Sequence, residues 1–186
     1  LEFRRVLFRS ITGYITKVAN TTYGNFYLKD ATGEVYVYGT LDANGQTKQW
    51  ANMGIKEGDI VTVVGPKSSY KGSPQMVNVS VEKHTPVTDV TVSEFLAKSD
   101  NSSVYYRIKG NVANIKNTTY GNFDIVDETG SVYVYGLTNG WGGPSKAFES
   151  FGINEGDNLT LIGVRSSYKG TAQVGSAFYV AHTPAN

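Results

Sequence analysis

The chain has 186 residues, with 17 Lys and Arg against 16 Asp and Glu, a formal net charge of +1, and no cysteine. Disulfides and thiolate metal sites are therefore excluded, no strong long-range field gathers a polyanion, and no apolar run is long enough for a membrane-spanning helix. The 21 glycines and 13 tyrosines, with few charges, suit a compact β protein.

Residues 1–10, Leu-Glu-Phe-Arg-Arg-Val-Leu-Phe-Arg-Ser, look like the in-frame translation of a widely used sequencing-library adaptor over their whole length, and are expected to be foreign to the fold. The alternative is a basic amphipathic arm for membrane or nucleic acid. Glu2 against Arg4, Arg5 and Arg9 gives this stretch +2 and leaves −1 for residues 11–186. On the adaptor reading the natural N-terminus is missing, so a signal peptide is not observable.

Residues 11–19 alternate apolar and polar positions and are rich in β-branched side chains, which predicts a first strand. Asn20-Thr-Thr-Tyr-Gly24 breaks it. Residues 25–29 form a second strand, with Phe26 and Leu28 on one face and Tyr27 and Lys29 on the other. Asp30-Ala-Thr-Gly33 has hairpin chemistry, an Asp that can bond back to the turn and a Gly free to take positive φ. A third strand over 34–39 alternates Val35 and Val37 with Tyr36 and Tyr38. An amphipathic segment at 48–53 stops at Gly54, and Glu57-Gly-Asp59 turns the chain. Residues 60–64 make a buried fourth strand, 67–74 a Gly/Ser/Pro loop, and 75–81 a fifth strand, with Pro86 where the ladder ends.

The pattern is then written again. Thr21-Thr-Tyr-Gly-Asn-Phe26 returns as Thr118-Thr-Tyr-Gly-Asn-Phe123, Val35-Tyr-Val-Tyr-Gly39 as Val132-Tyr-Val-Tyr-Gly136, and Glu57-Gly-Asp59 as Glu155-Gly-Asp157. Ser68-Ser-Tyr-Lys-Gly72 returns as Ser166-Ser-Tyr-Lys-Gly170, and His84-Thr-Pro86 as His182-Thr-Pro184. The offset is 97 residues before the Tyr-Gly pair and 98 after it. Each copy is long enough to enclose its own core. The boundaries are read as 11–86 for the first barrel, 87–103 for a linker with a short helix, and 104–186 for the second barrel. Three strands, a short helix and two more strands is the order of the oligonucleotide/oligosaccharide-binding (OB) fold. The expectation is an all-β chain of two tandem five-stranded Greek-key OB-fold barrels, each with a short helix between strands three and four.

The run Gly-Asn-Phe, Asp-x-Thr-Gly-x-Val-Tyr-Val-Tyr-Gly, Gly-Ile-x-Glu-Gly-Asp and Ser-Ser-Tyr-Lys-Gly resembles the tandem OB-fold modules of secreted or lipoprotein-type proteins of the Bacteroidota. The resemblance covers both copies, 11–84 and about 104–182, and implies an extracytoplasmic (periplasmic or cell-surface) binding module. It also implies a helix before each first strand. Val92-Ser-Glu-Phe-Leu-Ala-Lys98 fits that place before the second copy, with Ser93 as its N-cap and Phe95 and Leu96 as its buried side.

If the valines face inward, Tyr27, Lys29, Tyr36 and Tyr38 of the first copy and Tyr133 and Tyr135 of the second face outward, on the surface where OB folds hold ligands. Tyr70 with Lys71, and Tyr168 with Lys169, border that face in the strand-four-to-five loop. Tyr23 and Tyr120 border it in the strand-one-to-two loop. Aromatics beside lysines on such a face are the layout of a single-strand nucleic-acid binder. Cross-strand packing, or a contact surface between barrels, equally explains strand tyrosines. In the second copy Asp124 and Val126 replace Tyr27 and Lys29, and an acid there repels phosphate, so weak nucleic-acid binding dominated by the first copy is expected. The competing ligand is an oligosaccharide, suited to Tyr, Asn, Thr and Ser with little charge, and a protein partner is a third reading.

Catalysis is not expected. Asp30-Ala-Thr-Gly33 and Asp127-Glu-Thr-Gly130 only superficially resemble the Asp-Thr-Gly of aspartic proteases, and turn chemistry accounts for them. His84 and His182 stand one per barrel with no second histidine near either in sequence, which makes neither a metal set nor an acid–base pair. No cofactor and no metal site is expected.

Overall fold

A computed structural model describes residues 8–186, which divide into one unit ending at Pro86 and another running from Val87 to Asn186. The expectation for residues 1–7 lies outside the described residues.

The first unit contains β1 (Phe8–Asn20), β2 (Asn25–Asp30), β3 (Gly33–Leu41), a single turn of 3-10 helix at Trp50–Asn52, β4 (Ile60–Tyr70) and β5 (Ser73–Thr85). The strands close as β1-β2-β3-β5-β4, with β3 and β5 parallel and the other pairs antiparallel. This is the OB-fold barrel. Alternation sends Ile15, Phe26, Leu28, Val37, Val61, Val63, Met76 and Val79 inside, and Trp50 closes one end against Phe26, ring centroids 5.4 Å apart. Phe8, Arg9 and Ser10 of the adaptor-like stretch continue β1 by pairing with Pro66, Gly65 and Val64. Ladder bonds are made by backbone and do not depend on which side chains the residues carry.

The second unit begins with β6 (Val87–Asp89) and helix α1 (Val92–Leu96), so residues expected as linker are folded onto this barrel, β6 pairing in parallel with Tyr105–Arg107. There follow β7 (Asn101–Asn117), β8 (Asn122–Asp127), β9 (Gly130–Tyr135), β10 (Leu137–Thr138), a 3-10 turn at Phe148–Phe151, β11 (Asn158–Tyr168) and β12 (Thr171–Thr183). The same closure recurs through β7-β8-β9-β12-β11. The cap of α1 differs from expectation. Thr91, not Ser93, is the N-cap, because Glu94 three residues on completes a reciprocal capping box with it. Val92 and Phe95 are fully buried.

Several repeated motifs serve the barrel itself. Gly58 N–H donates to Ile15 O at 2.8 Å and Glu57 Oε2 accepts Val18 N–H at 2.8 Å, where bulges disturb the β1–β2 register. Gly156, Glu155 and Ile115 repeat the arrangement in the second unit, with Gly156 donating to Val112 O. Asp30 Oδ1 accepts from Thr32 and Gly33, as Asp127 Oδ1 does from Thr129 and Gly130. Asp127 also accepts Val92 N–H at 2.8 Å, tying α1 to the barrel. The fold does pair one histidine with a carboxylate: antiparallel pairing sets Val61 opposite His84, bringing His84 Nε2 to 2.7 Å from Oδ2 of the buried Asp59. His182 instead meets the Tyr179 hydroxyl at 3.0 Å.

Burial of Asp127 would raise its pKa, but hydrogen bonds from Thr129, Val92 and Gly130 outweigh it and hold the carboxyl below its ordinary value. Backbone bonds from Asn154 and Ala185 do the same for Asp157. Groups depressed on folding contribute stability above their unfolded value and lose it as pH falls through the folded one. The second unit should therefore hold its full stability down to about pH 4 and weaken progressively below it. Urea melts across the acid range are expected to show a shallower acid loss for Asp127→Asn, which is also less stable at neutral pH by about 1 kcal/mol.

Candidate functional site

With Phe26, Leu28 and Val37 buried, the intervening residues of β2 and β3 are forced outward. Tyr27 lies opposite Tyr36 with ring centroids 4.9 Å apart, Tyr36 lies beside Gln75, and Gln75 lies opposite Ser68, so one outer ladder crosses four strands. Tyr38 is 55% exposed.

Residues 67–74 are not the loop expected. β4 and β5 run on past the barrel as a two-stranded arm and close in a two-residue turn, Lys71-Gly72, with φ of 48° and 83°. Positive φ at both central residues is the demand of a type I′ turn. Tyr70 and Lys71 thus sit at a hairpin tip, Tyr70 62% exposed with Lys71 Nζ 5.3 Å from its ring centroid. The tip leans over the face, so Tyr27, Tyr36, Tyr38, Tyr70, Lys71 and Gln75 line one cleft of about 820 Å³. Among the described residues a single cation and no acid line it. Lys29 is opposite Glu34 and outside the cleft, and Tyr23 stands in the β1–β2 turn under Lys48, 5.4 Å from its ring.

The second unit reproduces the parts and changes the chemistry. Tyr133 is paired with Asp124 and Gln173, Tyr135 with Asn122, and the Tyr168-Lys169 tip repeats with φ of 47° at Lys169. Lys169 lies 5.4 Å from the Tyr168 ring, Lys146 5.5 Å from Tyr120 and Lys116 5.0 Å from Tyr133. Asp124 Oδ2 accepts from Asn114 Nδ2 at 2.9 Å, fixing a carboxylate on this face.

The residues missed from sequence are Gln75, Ser73 and Pro74 in the cleft, and Lys48 and Lys146 over the turn tyrosines. The duplication held a signal for most of them: Gln75 and Lys48 recur at an offset of 98 as Gln173 and Lys146. A lysine in a left-handed turn position is strained where asparagine is not. Lys71→Asn is expected to raise the thermal stability of the first unit by about 0.5–1 kcal/mol while removing the cation from the cleft.

Among the described residues, no three His, Asp or Glu side chains converge as a metal set, and no helix is long and apolar enough to cross a membrane.

No protein-family model matches the chain, and no curated protein does. Solved structures with a similar course include a murine DNA-binding protein bound to double-stranded DNA (15% identity, 94% of this chain and 96% of that one, TM-score 0.40). Others are the tetrameric p202 HIN2 (12% identity, 98% and 97%, TM-score 0.41) and a deletion mutant of the single-stranded DNA-binding protein from Thermus aquaticus (14% identity, 94% and 91%, TM-score 0.30).

Proposed function

We propose that the chain is a non-catalytic binding module whose first barrel holds single-stranded nucleic acid in the tyrosine cleft. The observation that carries this reading is the convergence of four tyrosines and Lys71 in one cleft with no carboxylate among its described residues. Bases present two apolar faces and a string of phosphates, and the cleft offers ring faces with a cation at the hairpin tip. Each stacked base contributes about 1–3 kcal/mol without regard to sequence, and each neutralised phosphate adds about −0.7 to the logarithmic salt slope. With Lys71 in the cleft and Lys29 and Lys48 beyond it, affinity is weak and steeply salt-dependent. Asp124 makes the corresponding face of the second barrel the poorer one for phosphate.

Fluorescence anisotropy of a labelled oligothymidylate, titrated with the whole chain at several salt concentrations, tests this. Binding that weakens with salt and loses about one phosphate's slope in Lys71→Ala supports it, and no binding at the lowest salt removes it. The resemblance of the repeated motifs to secreted and lipoprotein-type modules supports an extracytoplasmic location, to be checked by fractionating cells that make the native protein.

A further inference from the structure

The second unit holds a smaller pocket, about 450 Å³, between the β7–β8 turn, the end of β9 with β10, and the middle of β12. Tyr120, Asn122, Tyr135, Thr138 and Ser145 line it with backbone, and among the described residues no charged side chain does. The two copies differ beside it. In the first barrel Asn25 is buried and its Oδ1 accepts Gly39 N–H at 2.8 Å, while Thr40 Oγ1 donates to Gly24 O at 2.7 Å. In the second barrel Leu137 stands in place of Thr40. Asn122, the counterpart of Asn25, leaves Oδ1 out of reach of water and with no donor among the described residues. An acceptor in that state is a standing cost that an incoming donor relieves. The last torsion of an asparagine is broad, so a small rotation of the amide turns Oδ1 toward the pocket.

The chemistry of the walls restricts the occupant. Asn122 requires a hydroxyl or N–H donor. The Tyr135 ring, 62% exposed, offers an apolar face. Ser145 adds a hydroxyl, while Asn117 Oδ1 is already spent on the amides of Thr119 and Tyr120. Among the described residues no cation is in the wall itself, and Lys146 stands over the Tyr120 ring at its rim, 5.5 Å from the centroid. Two carboxylates flank the site as well, Asp124 on the same strand and Glu149, which accepts from Thr118 at 2.9 Å, so the surroundings carry no net positive charge for a phosphate. We infer that this pocket binds a sugar ring of a neutral polysaccharide, its C–H face on Tyr135 and a hydroxyl donating to Asn122. The inference does not rest on the reading of the first barrel.

Affinity electrophoresis of the whole chain through gels containing soluble starch, laminarin or galactomannan tests it. Retardation in at least one gel is expected, unchanged by added salt, weakened at least about tenfold by Asn122→Ala, abolished by Tyr135→Ala, and untouched by Tyr70→Ala. Tyr135 is exposed, so its replacement leaves the fold intact, and circular dichroism melts verify this for both variants. No retardation in any of the gels, or retardation that survives Tyr135→Ala, overturns the inference. Oligothymidylate binding lost in Tyr135→Ala but kept in Tyr70→Ala also overturns it, by giving the pocket to nucleic acid.

Discussion

Replacing Tyr36 and Tyr70 together with alanine is expected to weaken oligothymidylate binding by about 2–6 kcal/mol, from two lost stacking partners. In an anisotropy titration this is a loss of at least about thirtyfold. The two side chains approach the cleft independently, one from the barrel wall and one from the hairpin tip. Each single variant should therefore show roughly half of the effect. Tyr168→Ala, the same chemical change on the second unit's tip, serves as control and should change little. Neither change threatens the barrel, since Tyr70 is exposed and Tyr36 is outside the core.

Phe26→Ala is expected to destabilise the first barrel by about 3–5 kcal/mol, read as the loss of midpoint in a denaturant melt. Phe26 is fully buried and packs on Trp50, which closes the barrel end. Phe123 holds the same place in the second unit, with Phe148 at 5.6 Å, and Phe123→Ala should act there with similar size. Because the outward tyrosines are positioned by the inward residues between them, Phe26→Ala should also weaken oligonucleotide binding, though Phe26 touches no ligand.

The barrel was legible because its strands alternate strictly where they enclose the core. Val35 and Val37 against Tyr36 and Tyr38 gave both the inside and the candidate face. Legibility failed where strands leave the core. Beyond Val64, β4 reads Gly-Pro-Lys-Ser-Ser before Tyr70, with no apolar/polar alternation, so residues 67–74 read as loop although they form a paired arm. The turn inside it is Lys-Gly rather than Asn-Gly, which hides a two-residue hairpin. The Asp59–His84 pair was invisible for a different reason: 25 residues separate the two, and only the full length of the β4–β5 hairpin, read as two short strands with a loop between them, brings the start of β4 against the end of β5. The helix cap was readable in principle from Thr91 and Glu94, since a Thr with Glu three residues on is the stronger signal than a lone Ser. Asn122 could not be read at all, because its sequence context matches that of Asn25, and only the structure shows that Asn25 Oδ1 has a backbone donor while Asn122 Oδ1 has none.

The central claim is that the first barrel's tyrosine cleft is a surface for single strands. Aromatic NMR spectra of the chain, with tyrosine resonances assigned and titrated with oligothymidylate at low salt, test it most directly. The account predicts upfield ring-current shifts at Tyr27, Tyr36, Tyr38 and Tyr70, with smaller changes at Tyr133 and Tyr135. Shifts confined to the second unit's tyrosines, or spectra unchanged by saturating oligonucleotide, would contradict it.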